Sequence, residues 1–269
     1  MRKTKYIVVF ILVVAALFFA ERYIDNNDIS ITIPTNEHSK PSTKVLENWM
    51  PTSTTGVIVH HNYFSLSYAE KHEQAEWVAY ELSKSHLSKN DFERPYFIED
   101  EQVRTGSADW RNYKNSGYDR GHLCPAGDRR FSYEAYKETF LTSNISPQNH
   151  EFNGRIWNYL EQKVRFWADK YDGVYIVTGG VLDSNLKTIG DEQVSIPKSF
   201  YKIVYDFEGG KHKVLAFLIP NQPTTKSFYD FVTTVDEIEA ETGIDFFPHL
   251  STTEEALEAT IDLKAWGKR

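Results

Sequence analysis

Tyr118-Asp119-Arg120-Gly121-His122-Leu123-Cys124-Pro125-Ala126-Gly127-Asp128 sets a cation, a residue without a side chain and an imidazole in direct succession, between an acid and a proline. Arg120 presents a planar fork of donors that suits a phosphate. Gly121 lets backbone or ligand approach closely, and His122 is the side chain best suited to move protons near neutral pH. Taken alone, Asp119 to His122 also reads as a turn carrying a surface or hydrogen-bonded histidine. Arg104, Arg111, Lys114, Arg129 and Arg130 gather around the segment, and such a local basic cluster is what a polyanion would need.

A second stretch supplies candidate partners. Pro147 places Ser143-Asn144-Ile145-Ser146-Pro147-Gln148 in a loop. From Asn153 onward, Ile156, Trp157, Leu160, Val164 and Trp167 recur at helical spacing. On a wheel at about 100° per residue, Asn153 falls near the middle of that apolar stripe, which aims a polar amide inward at the first turn. Glu161 falls on one flank, and Arg165 lies one turn further along, within pairing distance of it. Each residue also has a plainer reading: Asn153 as a helix cap, Glu161 with Arg165 as a surface pair, Asn144 as a turn residue.

Two other features invite chemistry and are better read as structure. His60-His61 looks like a metal pair, but neighbours on a strand point to opposite faces and are poorly placed to share an ion. Cys124 is the only cysteine, so neither an internal disulfide nor a cysteine-built metal site is available. It could be a thiol nucleophile beside His122; a small buried hydrophobe is the better reading.

The elements that must position these residues follow from patterning. In a chain of 269 residues, 41% hydrophobic and 14% aromatic content supports a substantial core and excludes disorder for most of the length. The formal charge of −8 argues against coating nucleic acid by bulk electrostatics. Arg2, Lys3 and Lys5 precede an apolar run from Tyr6 to Ala20, closed by Glu21 and Arg22, the pattern of an export signal. The run is shorter than the roughly 20 residues of a comfortable span, and Phe18 sits where a small residue should precede a cleavage site. Residues 1–22 are therefore expected to be a signal peptide or an N-terminal membrane anchor, with residues 6–20 in contact with lipid, and the protein to be exported to the periplasm or the outside. Residues 23–56, polar and broken by Pro34, Pro41 and Pro51, read as a linker, leaving residues 57–269 as the folded domain.

Within that domain, Val57 to His61 and Tyr63 to Tyr68 alternate like a strand pair. Glu70 to Leu87 has a helical pattern through Ala75, Val78, Ala79 and Leu82. Ser132 to Phe140 reads as a short helix capped by Ser132, and Val174 to Gly180 as a buried strand. Phe200 to Phe207 and Val214 to Ile219 read as strands joined through Glu208-Gly209-Gly210, and Ser227 to Thr242 as a helix stopped by Gly243. This irregular succession predicts an α+β fold rich in antiparallel pairing.

With these pieces in order, the chain resembles the non-specific DNA/RNA endonucleases of the ββα-metal type. Asp119-Arg120-Gly121-His122 matches their signature tetrapeptide. Asn144, Asn153 and Glu161 match the asparagine, metal-ligand asparagine and glutamate that follow it, and Arg165 falls where a further phosphate-contacting arginine stands. The similarity runs from about Ile58, through Trp77 and Val177-Thr178-Gly179, to Thr242-Gly243-Ile244-Asp245-Phe246-Phe247. It implies a ββα-metal (His-Me finger) nuclease fold, with a mainly antiparallel central sheet flanked by helices. It also implies a Mg²⁺-dependent endonuclease, with Mn²⁺ an alternative, that grips DNA and RNA by their phosphates. Such an enzyme has little sequence or sugar preference and leaves 5′-phosphate ends.

In that reading His122 is the general base, Arg120 and Arg165 clamp the phosphate, and Asn144 orients His122 or the scissile group. Asn153 binds the hydrated metal directly, and Glu161 holds it through water. A further arginine is expected upstream, with Arg104 favoured over Arg111; a homodimer stays open. From a different class, the chain could be a surface nucleic-acid-binding or uptake protein on the same fold. His122, Asn153 and Glu161 together favour the enzyme, since a binder needs neither base nor ligand.

Overall fold

Strands buried on both faces organise the core. A computed structural model describes residues 49–206, 212–249 and 255–268; the segment read as an export signal, residues 23–48 and the Glu208-Gly209-Gly210 turn lie outside them. In chain order the strands are β1 (Ile58–His60), β2 (Ser65–Ala69), β3 (Gln74–Ser83), β4 (Tyr118–His122), β5 (Ile145–Asn149), β6 (Gly173–Gly180), β7 (Thr188–Ile189), β8 (Val194–Ser195), β9 (Ser199–Asp206), β10 (Lys213–Pro220) and β11 (Val232–Thr233). The α-helices are α1 (Tyr133–Glu138), α2 (Asn158–Lys170), α3 (Val235–Thr242) and α4 (Glu255–Glu258).

Seven strands form one sheet in the order β1-β2-β3-β6-β9-β10-β11, each neighbouring pair antiparallel. The expected α+β, antiparallel-rich architecture is what forms. Alternation splits each strand's residues between two faces. Tyr80, Leu82, Ile176, Phe200, Val204 and Phe217 pack beneath the α2 side chains Leu160, Val164 and Trp167. On the opposite face, Trp77, Val177, Tyr201, Ile203 and Tyr205 meet Ile238 of α3 and Phe246.

Four elements differ from the sequence reading. The loop expected over Ser143 to Gln148 is a 3₁₀ turn that runs into β5, where Pro147 is accommodated in a two-stranded pairing with β4. The helix expected over Glu70 to Leu87 is β3, flanked by short 3₁₀ turns. Seven of its first residues in succession, Gln74 to Tyr80, are buried, because the strand lies inside the sheet between β2 and β6. Ala75, Val78, Ala79 and Leu82 fit a helical stripe only because both faces are core, which erases the period of two. Buried Glu76 is satisfied by Ser67 Oγ at 2.6 Å and the Thr54 N–H at 3.0 Å.

The helix expected from Ser227 to Thr242 is broken into a 3₁₀ turn over Phe228–Phe231, β11 and then α3. Thr234 and Glu237 close a capping box at its start, and Gly243 ends it at φ 71°. Finally, the stretch read as the end of the linker lies on the body from Trp49 onward. Trp49 is 1% exposed and meets Tyr175 ring to ring at 4.7 Å. Thr52 N–H donates to Asp245 O at 2.8 Å, and Trp77 Nε1 to Thr52 O at 2.8 Å.

Candidate active site

The site is a ββα unit laid on the α2 face of the sheet. β4 and β5 pair antiparallel, with Gly121 opposite Ser146 and His122 opposite Ile145, and Ser146 Oγ anchors the pair to β3 through Gln74 Oε1 at 2.6 Å. Gly121 is required by packing. A Cβ at this position would fall inside the buried side chain of Gln148, which runs under the β4 backbone.

Beyond His122 the chain turns sharply, and Asn144 holds the turn. Its Oδ1 accepts from the Cys124 N–H at 2.8 Å, while its Nδ2 donates to Cys124 O at 3.0 Å and Thr139 O at 2.9 Å. The amide is thus wholly committed to main chain. Asn144 fixes the chain two residues beyond His122 through the Cys124 backbone, and makes no hydrogen bond to the imidazole among the described residues.

His122 stands between two aromatic walls, with ring centroids 5.6 Å from Phe97 and 5.0 Å from Phe140. Its Nε2 is buried without a hydrogen-bond partner. Burial, helped by the nearby Arg94 guanidinium, pulls its pKa down to about 3, so the ring is a neutral acceptor at any physiological pH. Arg120, one strand position from Gly121, spreads its guanidinium over Phe97 at 5.1 Å and Trp110 at 5.7 Å. These rings fix its plane and leave its donors for an anion.

Asn153 lies in a π-helical turn, Phe152–Trp157, that leads into α2. The wider turn changes the wheel: Phe152, Ile156 and Trp157 enter the core, and Asn153 is rotated onto the flank, half-buried. There its Nδ2 donates to Asp119 Oδ2 at 2.9 Å. A carboxylate only accepts, so the amide nitrogen must face it, and the Asn153 carbonyl oxygen is left without a partner among the described residues. His150 Nδ1 also meets both Asp119 oxygens at 3.1 Å.

Further along α2, Glu161 makes no hydrogen bond or ion pair among the described residues. The pairing expected between Glu161 and Arg165 is replaced by Arg165 Nη1 on Asp128 Oδ1 at 2.6 Å. Asp128 lies on the neighbouring 3₁₀ turn and is held from the sheet by Tyr80 OH at 3.0 Å. Burial raises the Glu161 carboxyl above the ordinary carboxylate range, and the charges of Lys202 and Arg165 oppose that rise. Cys124 is fully buried and its thiol is pushed up to about 12, chiefly by burial, which makes it a packing residue and not a nucleophile.

The two upstream arginines named from sequence sit differently. Arg104 is exposed and makes no hydrogen bond, ion pair or ring contact among the described residues. Arg111 pairs with Asp109 and lies over Trp110 at 5.2 Å, sharing that ring with Arg120. Arg94, which the sequence reading passed over, is closer to the chemistry. Its guanidinium lies 5.7 Å from Phe97 and 5.5 Å from Phe140, the two rings that wall His122. It sits in an irregular segment, and its one sequence signal is the interleaving of charge with Pro95, Tyr96 and Phe97. The His60-His61 pair is divided as strand geometry requires: His60 bonds Ser65 Oγ at 2.9 Å, and His61 bonds Asp100 Oδ2 at 2.8 Å.

Asn153 offers an amide oxygen beside the Asp119 carboxylate, hard oxygen donors that suit Mg²⁺ or a similar cation rather than a thiophilic metal, and Glu161 adds a carboxylate about two turns further along the helix.

Residues 41–253 match the family model described as DNA/RNA non-specific endonuclease. The mitochondrial nuclease EXOG of Danio rerio is 34% identical over 214 residues, covering 73% of this chain and 62% of that protein. Human mitochondrial endonuclease G is 30% identical over 214 residues, 73% of this chain and 71% of its own length. A nuclease of Nostoc sp. is 33% identical over 219 residues, 75% and 77% of the two chains. The chain thus spans about three fifths of the length of the EXOG relative. Among solved structures, a chain of the EndoG/EndoGI complex superposes with a TM-score of 0.66 at 30% identity, covering 72% of this chain and 86% of that one.

Proposed function

This chain belongs to the family of DNA/RNA non-specific endonucleases, and from that premise we propose that it hydrolyses internal phosphodiester bonds of DNA and RNA with the help of a divalent cation, Mg²⁺ first among them. The observation that carries the reading is His122: a neutral, half-buried imidazole set between Phe97 and Phe140, one residue from Gly121 and two from a stacked arginine.

The chain's own groups divide the work. His122 takes a proton from the water that attacks phosphorus. Arg120, held flat by Phe97 and Trp110, binds a nonbridging oxygen of the scissile phosphate, and Arg94 extends the grip along the backbone. Arg165, bound to Asp128, is better placed to stiffen the floor of the site than to reach a phosphate. Asp119 holds the Asn153 amide nitrogen and so leaves its carbonyl oxygen free. Asn153 would hold the cation directly and Glu161 through water, and the cation when bound supplies charge neutralisation at the phosphate and the leaving oxygen. The P–O3′ bond breaks, so the products carry 5′-phosphate and 3′-hydroxyl ends.

Grip on phosphates rather than base edges gives little sequence or sugar preference. End-group analysis tests the assigned bond cleavage: nicks introduced in plasmid DNA by limited digestion should be sealed by a DNA ligase without prior kinase treatment, and ends with 3′-phosphates would contradict the assignment. Export, drawn from residues 1–22, is part of the same proposal. Fractionation of the cells that make the chain should place it outside the cytoplasm, by anchor or by secretion.

A further inference from the structure

Lys202 is a lysine where the sheet calls for an apolar residue. It lies on β9 with Phe200 and Val204 on the same face, both fully buried beneath α2, and between Thr178 of β6 and Phe217 of β10. Lys202 is itself 0% exposed, and its Nζ has no hydrogen-bond partner. The ammonium lies 4.7 Å from the centroid of the Trp157 ring, at the end of the π-helical turn that carries Asn153.

An unpaired buried ammonium is costly, so its neighbours must account for it. Trp157, over which the ammonium lies, stands one helical turn before Glu161, and Arg165, bound to Asp128, one turn after it. Glu161 is thus the carboxylate next along the helix from Lys202, and the two charges act on each other. Arg165 is already bound to Asp128, and buried Arg129 is spent on the carbonyls of Asp128, Tyr63 and Glu81. Tyr80 and Cys124, the other titratable groups that face this space, are held neutral by burial. Glu161 and Lys202 are therefore left to each other, one on the helix and one on the sheet.

We propose that Lys202 is a positioning residue for the active site, the buried counter-charge that holds the Glu161 carboxylate in place from the sheet side. Without it, Arg165 would be the remaining cation beside Glu161, and the carboxylate would be drawn along α2 toward it and away from the cleft. The inference rests on the proposed role of Glu161 in holding a cation. Groups that act one step behind metal-holding residues typically change affinity or rate about 10- to 100-fold.

The test is a double-mutant cycle with Lys202→Met and Glu161→Gln in the full chain. Lys202→Met should lower kcat about tenfold or more while leaving KM for DNA within about twofold, and should weaken Mn²⁺ binding to the metal-free protein, measured calorimetrically, about tenfold. Adding Lys202→Met to Glu161→Gln should cause no further loss of either quantity. Melting of the four proteins supplies a readout independent of turnover. Glu161→Gln alone leaves an uncompensated buried ammonium, so the double variant should melt higher than Glu161→Gln. Parent-like Mn²⁺ affinity and kcat in Lys202→Met, multiplying losses in the double variant, or equal melting shifts in both backgrounds would each overturn the proposal. If the parent cuts no nucleic acid, the nuclease reading fails, while metal binding and melting still decide the link between Lys202 and Glu161.

Discussion

Asn153 gives its side-chain N–H to Asp119 at 2.9 Å, and this bond joins the π-helical turn before α2 to the strand that carries His122. Asp119 and His122 lie three positions apart on β4. One strand thus places the proposed base and, through its acid, fixes which face of an amide on another element stays free. The acid of the tetrapeptide is thereby explained by geometry: it orients Asn153.

If Asp119 has this role, Asp119→Ala should free Asn153 to rotate. Mn²⁺ affinity and kcat are each expected to fall about 10- to 100-fold, with the melting temperature lowered only modestly because the bond is part-buried and both groups keep contact with solvent. Unaltered Mn²⁺ binding would remove Asp119 from the account.

Gly121→Ala should destabilise the protein by about 1–3 kcal/mol in urea unfolding, since the new Cβ would overlap the Gln148 side chain. Gln148 is fully buried and cannot swing into solvent. The double variant Gly121→Ala/Gln148→Ala removes the obstructing atoms and should recover at least half of the loss. Failure to recover would place the glycine requirement in the backbone rather than in this contact.

His122 carries a signature in stability as well as in rate. Its folded pKa of about 3 lies below the unfolded value of 6.5. The unfolded chain therefore binds the extra proton first as pH falls, and this contribution is complete above pH 6.5 and lost toward pH 3. At about 1.4 kcal/mol per pH unit the upper limit is roughly 4–5 kcal/mol, reduced because the residue keeps some exposure. Relative to His122→Phe, the unfolding free energy of the parent should hold a constant difference above pH 6.5 and fall progressively between pH 6.5 and about 3; curves that stay parallel throughout would show that the ring titrates normally.

Arg94 and Arg104 can be separated by salt. Arg94→Ala should raise KM for duplex DNA about tenfold and lower the slope of log KM against log salt by about one, as loss of a phosphate contact does. Arg104→Ala should leave both within about twofold of the parent. The reverse ranking would restore the sequence-based preference for Arg104.

The residues proposed to carry the chemistry are legible as a set because side-chain type and spacing survive in the sequence: Arg120, Gly121 and His122 stand in succession, and Asn144, Asn153 and Glu161 follow in register. Orientation was less legible. Asn153 pointed inward on a wheel of about 3.6 residues per turn, and a single π turn moved it to the flank where it meets Asp119. β3 imitated a helix because a strand buried on both faces loses its alternation. Arg94 and Lys202 left almost no trace, one in an irregular segment and one inside an otherwise apolar strand. Both are recognised only by what surrounds them, the aromatic walls of His122 and the unpartnered carboxylate of Glu161.

The central claim is that the chain is a nuclease whose base is His122. Supercoiled plasmid and total RNA, each incubated with the full-length protein and with His122→Ala, in Mg²⁺ and in excess chelator, test it most directly. The parent is expected to degrade both nucleic acids in Mg²⁺ and neither with chelator, and His122→Ala to be slower by about 10² to 10⁴, the range a general base contributes. Digestion by His122→Ala at the parent rate would contradict the mechanism, and binding without cleavage by the parent under every divalent cation would contradict the activity.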